Sequence, residues 1–207
     1  MKIILSVLSA LIFATSVQAG MKEGLEHSGN DVYQKSFNEI LSLAEKGDSF
    51  EQLYLGTMYY EGKGVKQDYQ EAHKWYLKAA EQGMVRAQVY VGVMYSEGKG
   101  VKQDYQEAHK WMLQAAEQGD ALAQSYLGTM YSEGKGVKQD YQEAHKWMLQ
   151  AAEQGEASAQ YDLGVMYLKG LSVRQNKIAA KEWFGKACDA GFQEGCDGYL
   201  ILNEQGH

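Results

Sequence analysis

Residues 92–127 read GVMYSEGKGVKQDYQEAHKWMLQAAEQGDALAQSYL, and residues 128–163 repeat them at 31 of 36 positions. Another copy starts at Gly56 and is nearly as close. A fourth starts at Gly164 and is looser, GVMYLKGLSVRQNKIAAKEWFGKACDAGFQEGCDGY. A fixed period of roughly 20–50 residues marks stacked supersecondary units. No unit of this length closes a core alone, so each must bury its apolar stripe against its neighbour.

Each copy carries the signals of two helices. In residues 68–82, Asp68 is followed three residues later by Glu71, a capping-box pattern that recurs as Asp104/Glu107 and Asp140/Glu143. The fourth copy keeps only a cap, Asn176. Ala72, Trp75, Tyr76, Ala79 and Ala80 fall at helical spacing and form the stripe to be buried. Gly83, Gly119, Gly155 and Gly191 end these helices. The other helix of each copy runs over about residues 84–97, with Ala87, Val91, Met94 and Tyr95 on one face. Gly92 lies in its middle, where glycine costs about 1 kcal/mol against alanine. Its recurrence at Gly128 and Gly164 points to close helix contact. The array needs ends: residues 31–47 read as an N-terminal capping helix, residues 48–191 as four helix pairs, and residues 192–207 as a C-terminal capping helix and tail. In that last helix Leu200 replaces the mid-helix glycine, as expected where no further helix approaches.

The first twenty residues read as an address. Met1 and Lys2 precede the apolar run IILSVLSALIFA and the small-x-small site Val17-Gln18-Ala19, the layout of a secretory signal peptide over residues 1–19. The run is too short to span a bilayer. Cleavage after Ala19 leaves a formal charge of -8, from 19 basic and 27 acidic residues. Residues 20–30 read as a disordered mature N-terminus. An acidic chain without a basic stripe repels phosphate backbones, which disfavours nucleic acid as a partner. Cys188 and Cys196 are the only cysteines. In an oxidising compartment they are expected to form a disulfide; metal ligation and two free thiols are the alternatives, and two cysteines with no histidine beside them make a poor zinc site. One lies in the last turn of a helix and the other early in the next, across the Gly191 turn.

The pattern A-x-x-x-L-G-x-M-Y-x-x-G-x-G-V-x-Q-D-Y-x-x-A-x-x-W-x-x-x-A-A-E-Q-G resembles the Sel1-like repeat, a relative of the tetratricopeptide repeat, over about residues 48–200. The resemblance implies an all-α, right-handed solenoid of helix-turn-helix repeats whose concave surface contacts proteins. It also implies export, since many bacterial members are exported, to the periplasm or beyond the cell. The pair Cys188/Cys196 looks like the eight-apart disulfide of the cysteine-rich Sel1 proteins. Some of those have been described as penicillin-binding or weakly β-lactamase-active, but they carry the disulfide in most repeats and this chain carries it in one.

Candidate chemistry is sparse. Ser96-Glu-Gly-Lys99 and Ser132-Glu-Gly-Lys135 match Ser-x-x-Lys, but here the serine ends a helix, and Ser-Asp-Asn and Lys-Thr-Gly are absent. His73, His109 and His145 recur one per repeat, and helices packed about 8–10 Å apart keep such positions too distant to share a metal. The lysine pairs 63/66, 99/102 and 135/138 are flanked by acids and read as a mixed solvated edge. No cofactor, metal or catalytic residue is assigned. Repetition favours an extended binding surface over one asymmetric catalytic site. Positions 50/86/122/158 carry Phe, Arg, Leu and Ser; positions 54/90/126/162 carry Tyr, Tyr, Tyr and Asp. Their spacing puts them on one helical face. Arg86, Tyr90, Leu122, Tyr126, Ser158 and Asp162 are therefore the candidate concave binding face, on the first helix of each pair. The reading is an exported monomeric scaffold for a protein or peptide, with no stable membrane insertion after cleavage. The alternative is a cell-envelope hydrolase or ligand-binding protein acting on β-lactam or peptidoglycan-like compounds.

Overall fold

The structure, a computed structural model, describes residues 29–206. The signal peptide of residues 1–19 and most of the segment 20–30 lie outside the described residues. Every regular element described is an α-helix: α1 Gly29–Glu45, α2 Ser49–Glu61, α3 Tyr69–Glu81, α4 Val85–Glu97, α5 Tyr105–Glu117, α6 Ala121–Glu133, α7 Tyr141–Glu153, α8 Ala157–Lys169, α9 Lys177–Asp189 and α10 Gln193–Glu204. The all-α repeat solenoid expected from the period is the fold observed. α1 begins two residues ahead of the expected Asp31, so residues 29 and 30 are helical; helix ends shift on this scale by fraying.

The described residues divide into two compact units, up to residue 75 and from residue 76 onward, with the division inside α3. In the first, Ala44, Leu55, Met58 and Trp75 form a buried cluster. Asp48 caps α2, its Oδ1 accepting from the Phe50 amide at 2.9 Å. The buried Gln52 donates through Nε2 to the Ala44 carbonyl at 3.0 Å.

In the second unit, α4 to α10 stack in sequence order. One constraint between successive helix pairs is the mid-helix glycine. A Cβ on Gly92 would come within 3.0 Å of the Met112 side chain, and one on Gly164 within 2.5 Å of the Phe184 ring. Tyr76, Met112, Met148 and Phe184 occupy the same register and are buried. Burying a side chain of this size contributes about 1.5–3 kcal/mol. The glycine thus gives up helix propensity to admit the bulky residue of the following helix. Leu200, at the corresponding place in α10, is 55% exposed, in keeping with a terminal helix that nothing follows.

Asp104 and Asp140 cap α5 and α7 through paired amide contacts, and Asn176 caps α9. The capping box is half-formed: Glu107 Oε1 pairs instead with Lys110 Nζ, at 2.7 Å. Glycines 98, 134 and 170 close α4, α6 and α8 in the left-handed conformation at φ 68–71°. This φ carries a Cβ penalty for other residues.

A ladder of glutamines joins successive repeats. Gln88, Gln124 and Gln160 are buried and donate to the carbonyls of Ala80, Ala116 and Ala152 at 3.3, 3.2 and 3.1 Å. These carbonyls belong to the last turn of the preceding helix, where each also accepts from the amide of Gly83, Gly119 or Gly155 just beyond it. Gln118 and Gln154 then donate back to the Oε1 atoms of Gln88 and Gln124, each at 2.8 Å. Gln160 Oε1 is buried with no partner, because Ala190 stands where the others have glutamine.

Candidate interaction face

The six face residues sit on α4, α6 and α8, two per helix and four apart. The structure sorts them into two rows. Arg86 is exposed and Leu122 is 46% exposed; Ser158 is half-buried. Tyr90, Tyr126 and Asp162 form a half-buried inner row. Tyr90 stacks on the buried Tyr76, with ring centroids 4.7 Å apart and planes 15° apart. Tyr126 packs against the cluster of Met112, Ala123 and Leu127. Both tyrosines therefore support the repeat interior as well as lining the face. Ser158 Oγ lies 3.0 Å from Ser125 Oγ and donates to Glu156 Oε1 at 3.0 Å, tying α8 to α6.

Asp162 is the outlier of its row. Burial pushes its carboxyl up to about 6, with a smaller contribution from the Glu133 charge. A half-buried carboxylate thus stands where the three other repeats place tyrosine.

A cavity of about 210 Å³ opens between α4, α5 and α6. Gly92, Ser96, Met112, Tyr126, Met130 and Glu133 line it, and Lys135 stands at the same opening. Lys135 Nζ pairs with Glu133 Oε2 at 2.7 Å and lies 5.9 Å from the Tyr105 ring centroid.

The other sequence candidates fall as follows. Ser96 and Ser132 spend their hydroxyl protons on the carbonyls of Val93 and Thr129, at 2.8 and 2.9 Å. Lys99 Nζ pairs with Glu97 at 2.7 Å. Burial pushes His73, His109 and His145 below the ordinary histidine range. His109 Nε2 is 3.3 Å from the Tyr131 hydroxyl, and His145 Nε2 is buried without a partner. Trp75 is buried, while Trp111, Trp147 and Trp183 are half-buried at the repeat boundaries. Cys188 and Cys196 are disulfide-bonded, with Cα atoms 4.5 Å apart across the α9–α10 turn.

Two features were missed in the sequence reading. The glutamine ladder was visible as Gln at 52, 88, 124 and 160 and at 82, 118 and 154, at the same period of 36. The cavity was visible as the change from Tyr60 to Ser96 at equivalent positions.

The Sel1 repeat profile matches residues 52–84, 85–120, 121–156 and 157–192. These cover more than half of the chain, which therefore belongs to the Sel1 repeat family. No curated protein matches it. Among solved structures, the chain is similar to c5321, a protective antigen present in uropathogenic Escherichia coli strains and displaying an SLR fold. The identity is 38% and the TM-score 0.80, over 82% of this chain and 36% of that one. A Sel1 repeat protein from Oxalobacter formigenes is 35% identical, with TM-score 0.73, over 84% of this chain and 71% of that one. The cysteine-rich protein B of Helicobacter pylori shares the fold, at 22% identity and TM-score 0.50 over 64% of this chain and 96% of that one. The chain thus spans about a third of the antigen's length. Membership places it among repeat proteins that generally serve as protein-interaction scaffolds. Among the described residues, no helix is long and apolar enough to cross a membrane.

Proposed function

We propose that this protein is an exported scaffold that binds a protein or peptide partner through the face built by α4, α6 and α8, as the concave wall of its solenoid. One observation carries the reading. Residues 92–127 and 128–163 differ at five positions, and the pairs 93/129, 122/158 and 126/162 are three of them. All three share the face on which Arg86 and Leu122 reach solvent; the other two pairs, 120/156 and 125/161, fall at a helix cap and on the packed side of the same helices. A constant scaffold under a changing face presents distinct groups along one line, which suits an extended partner. Arg86 at one end and Asp162 at the other give that line a charge direction, and so an orientation for what it binds. Export rests on the leader-like residues 1–19 and on the disulfide, which persists in oxidising compartments.

Site-directed photocrosslinking tests the assignment. A benzophenone side chain placed at Leu122 is expected to trap a discrete partner in the living cell. The same group at Lys146, exposed on α7, is expected to trap none. Equal trapping at both positions contradicts the assignment.

A further inference from the structure

At the cavity beside Tyr126 a serine stands where the first repeat has a tyrosine. In the first repeat, Tyr60 lies against Tyr69 with ring centroids 5.1 Å apart. In the next repeat the equivalent residues are Ser96 and Tyr105, and both line the cavity. Serine in place of tyrosine leaves the volume of a ring unfilled. The floor is the Met112 and Met130 side chains, and methionine adapts to irregular apolar shapes. At about 210 Å³ the space exceeds the ~150 Å³ that admits a benzene ring. It falls below the roughly 300–1,000 Å³ of small-molecule sites. One aromatic or branched side chain is the occupant that fits.

The surroundings are acidic on one side. Glu133 lines the cavity on α6, and Asp162 on α8 lies within electrostatic reach of it. Lys135 neutralises part of this charge through an exposed ion pair with Glu133, and such pairs are weak and readily exchanged. The net charge of the three is negative, as is that of the chain, at -7. We propose that the cavity is a side-chain socket for an extended peptide, seating one aromatic residue, with basic residues immediately after it lying against Glu133 and Asp162. This rests on the interaction face proposed above and names the chemistry of its partner.

Fluorescence anisotropy with labelled peptides tests it. The probes are Gly-Ser-Phe-Arg-Arg-Ser-Gly, a version with Ala for Phe, and a version with Glu for both Arg. The first is expected to bind, and each of the others at least tenfold more weakly. Ser96→Tyr restores the residue that the first repeat carries, so it is compatible with the fold. It is expected to weaken the Phe peptide at least tenfold at unchanged Tm. Glu133→Gln with Asp162→Asn is expected to reduce the preference for Arg over Glu severalfold. No binding of the Phe-Arg-Arg peptide at 1 mM, equal binding of the Ala version, or an unaffected Ser96→Tyr variant overturns the socket. A Ser96→Tyr protein that still crosslinks its cellular partner from position 122 overturns the socket and leaves the face intact.

Discussion

Gln118 Nε2 donates a 2.8 Å hydrogen bond to the buried Oε1 of Gln88, thirty residues earlier. Gln88 in turn donates to the Ala80 carbonyl at the end of α3, which also accepts from the Gly83 amide. One side chain thus closes a helix terminus and receives the next repeat. Gln124 does the same with Ala116 and Gln154. The relay stops at Gln160, whose Oε1 has no donor.

Ala190→Gln should complete the relay. Ala190 has φ -80° and ψ 3°, close to the -84° and 3° of Gln118, so the backbone already suits the longer side chain. Satisfying a buried acceptor contributes about 0.5–1.5 kcal/mol. At about 2–4 °C per kcal/mol for a chain of this size, thermal denaturation by circular dichroism should show a Tm rise of a few degrees. No change or a fall would show that Gln160 Oε1 is satisfied otherwise.

Gly164→Ala should destabilise the fourth repeat by about 1–3 kcal/mol, the usual cost of overpacking. The added Cβ meets Phe184 Cδ1 at 2.5 Å, and that ring is itself buried. Adding Phe184→Leu to the same chain should recover part of the loss. Urea unfolding of the single and double variants measures both, and an additive double variant refutes the contact.

Most of the fold was legible because packing here is local and repeats. The period, the caps and the mid-helix glycines each mark an event within one pair of helices, and Gly164 announces Phe184 twenty residues later. The ladder was less legible. Glutamine is polar and common on helix surfaces, so its burial follows only from knowing that it faces a carbonyl in the last turn of the preceding helix. The site was legible in outline: the face positions were found by their variation. Their division into an exposed row and a packed row was not, because Tyr90 owes its place to Tyr76 on the preceding helix. The cavity left one trace in the sequence, serine at position 96 where the first repeat has Tyr60, but its size and lining come from the packing of three helices.

Asp162→Asn should stabilise the protein at pH 7.5 and leave it nearly unchanged at pH 4. The folded-state value of about 6 lies above the ordinary 3.8. The folded state therefore holds this proton more tightly than the unfolded chain. The stability it brings is fully present below the ordinary value and is lost as pH rises through about 6. Tm measured from pH 4 to 8 should show the gap between the two proteins opening from about pH 4 and levelling off above about pH 6. Parallel curves would mean that Asp162 ionises as an exposed carboxylate does.

Cys188→Ser with Cys196→Ser should cost about 2–3 kcal/mol, the loop-closure entropy of a short crosslink with a sequence separation of 8. The loss should localise to α10, which ends the stack and packs chiefly on α9. Hydrogen exchange followed by mass spectrometry should show deprotection confined to residues 193–204. Uniform deprotection of α4 to α9 would contradict that placement.

The central claim is that the face carrying Arg86 and Leu122 binds a partner, and affinity capture tests it most directly. The mature protein and its Arg86→Glu/Leu122→Asp variant are immobilised and exposed to extract of the cells that make it. Retained proteins are then quantified by mass spectrometry. Both positions are exposed, so the variant should keep its helicity and Tm. The account predicts a partner enriched at least tenfold on the native protein and lost from the variant. Equal retention by the two proteins would contradict it.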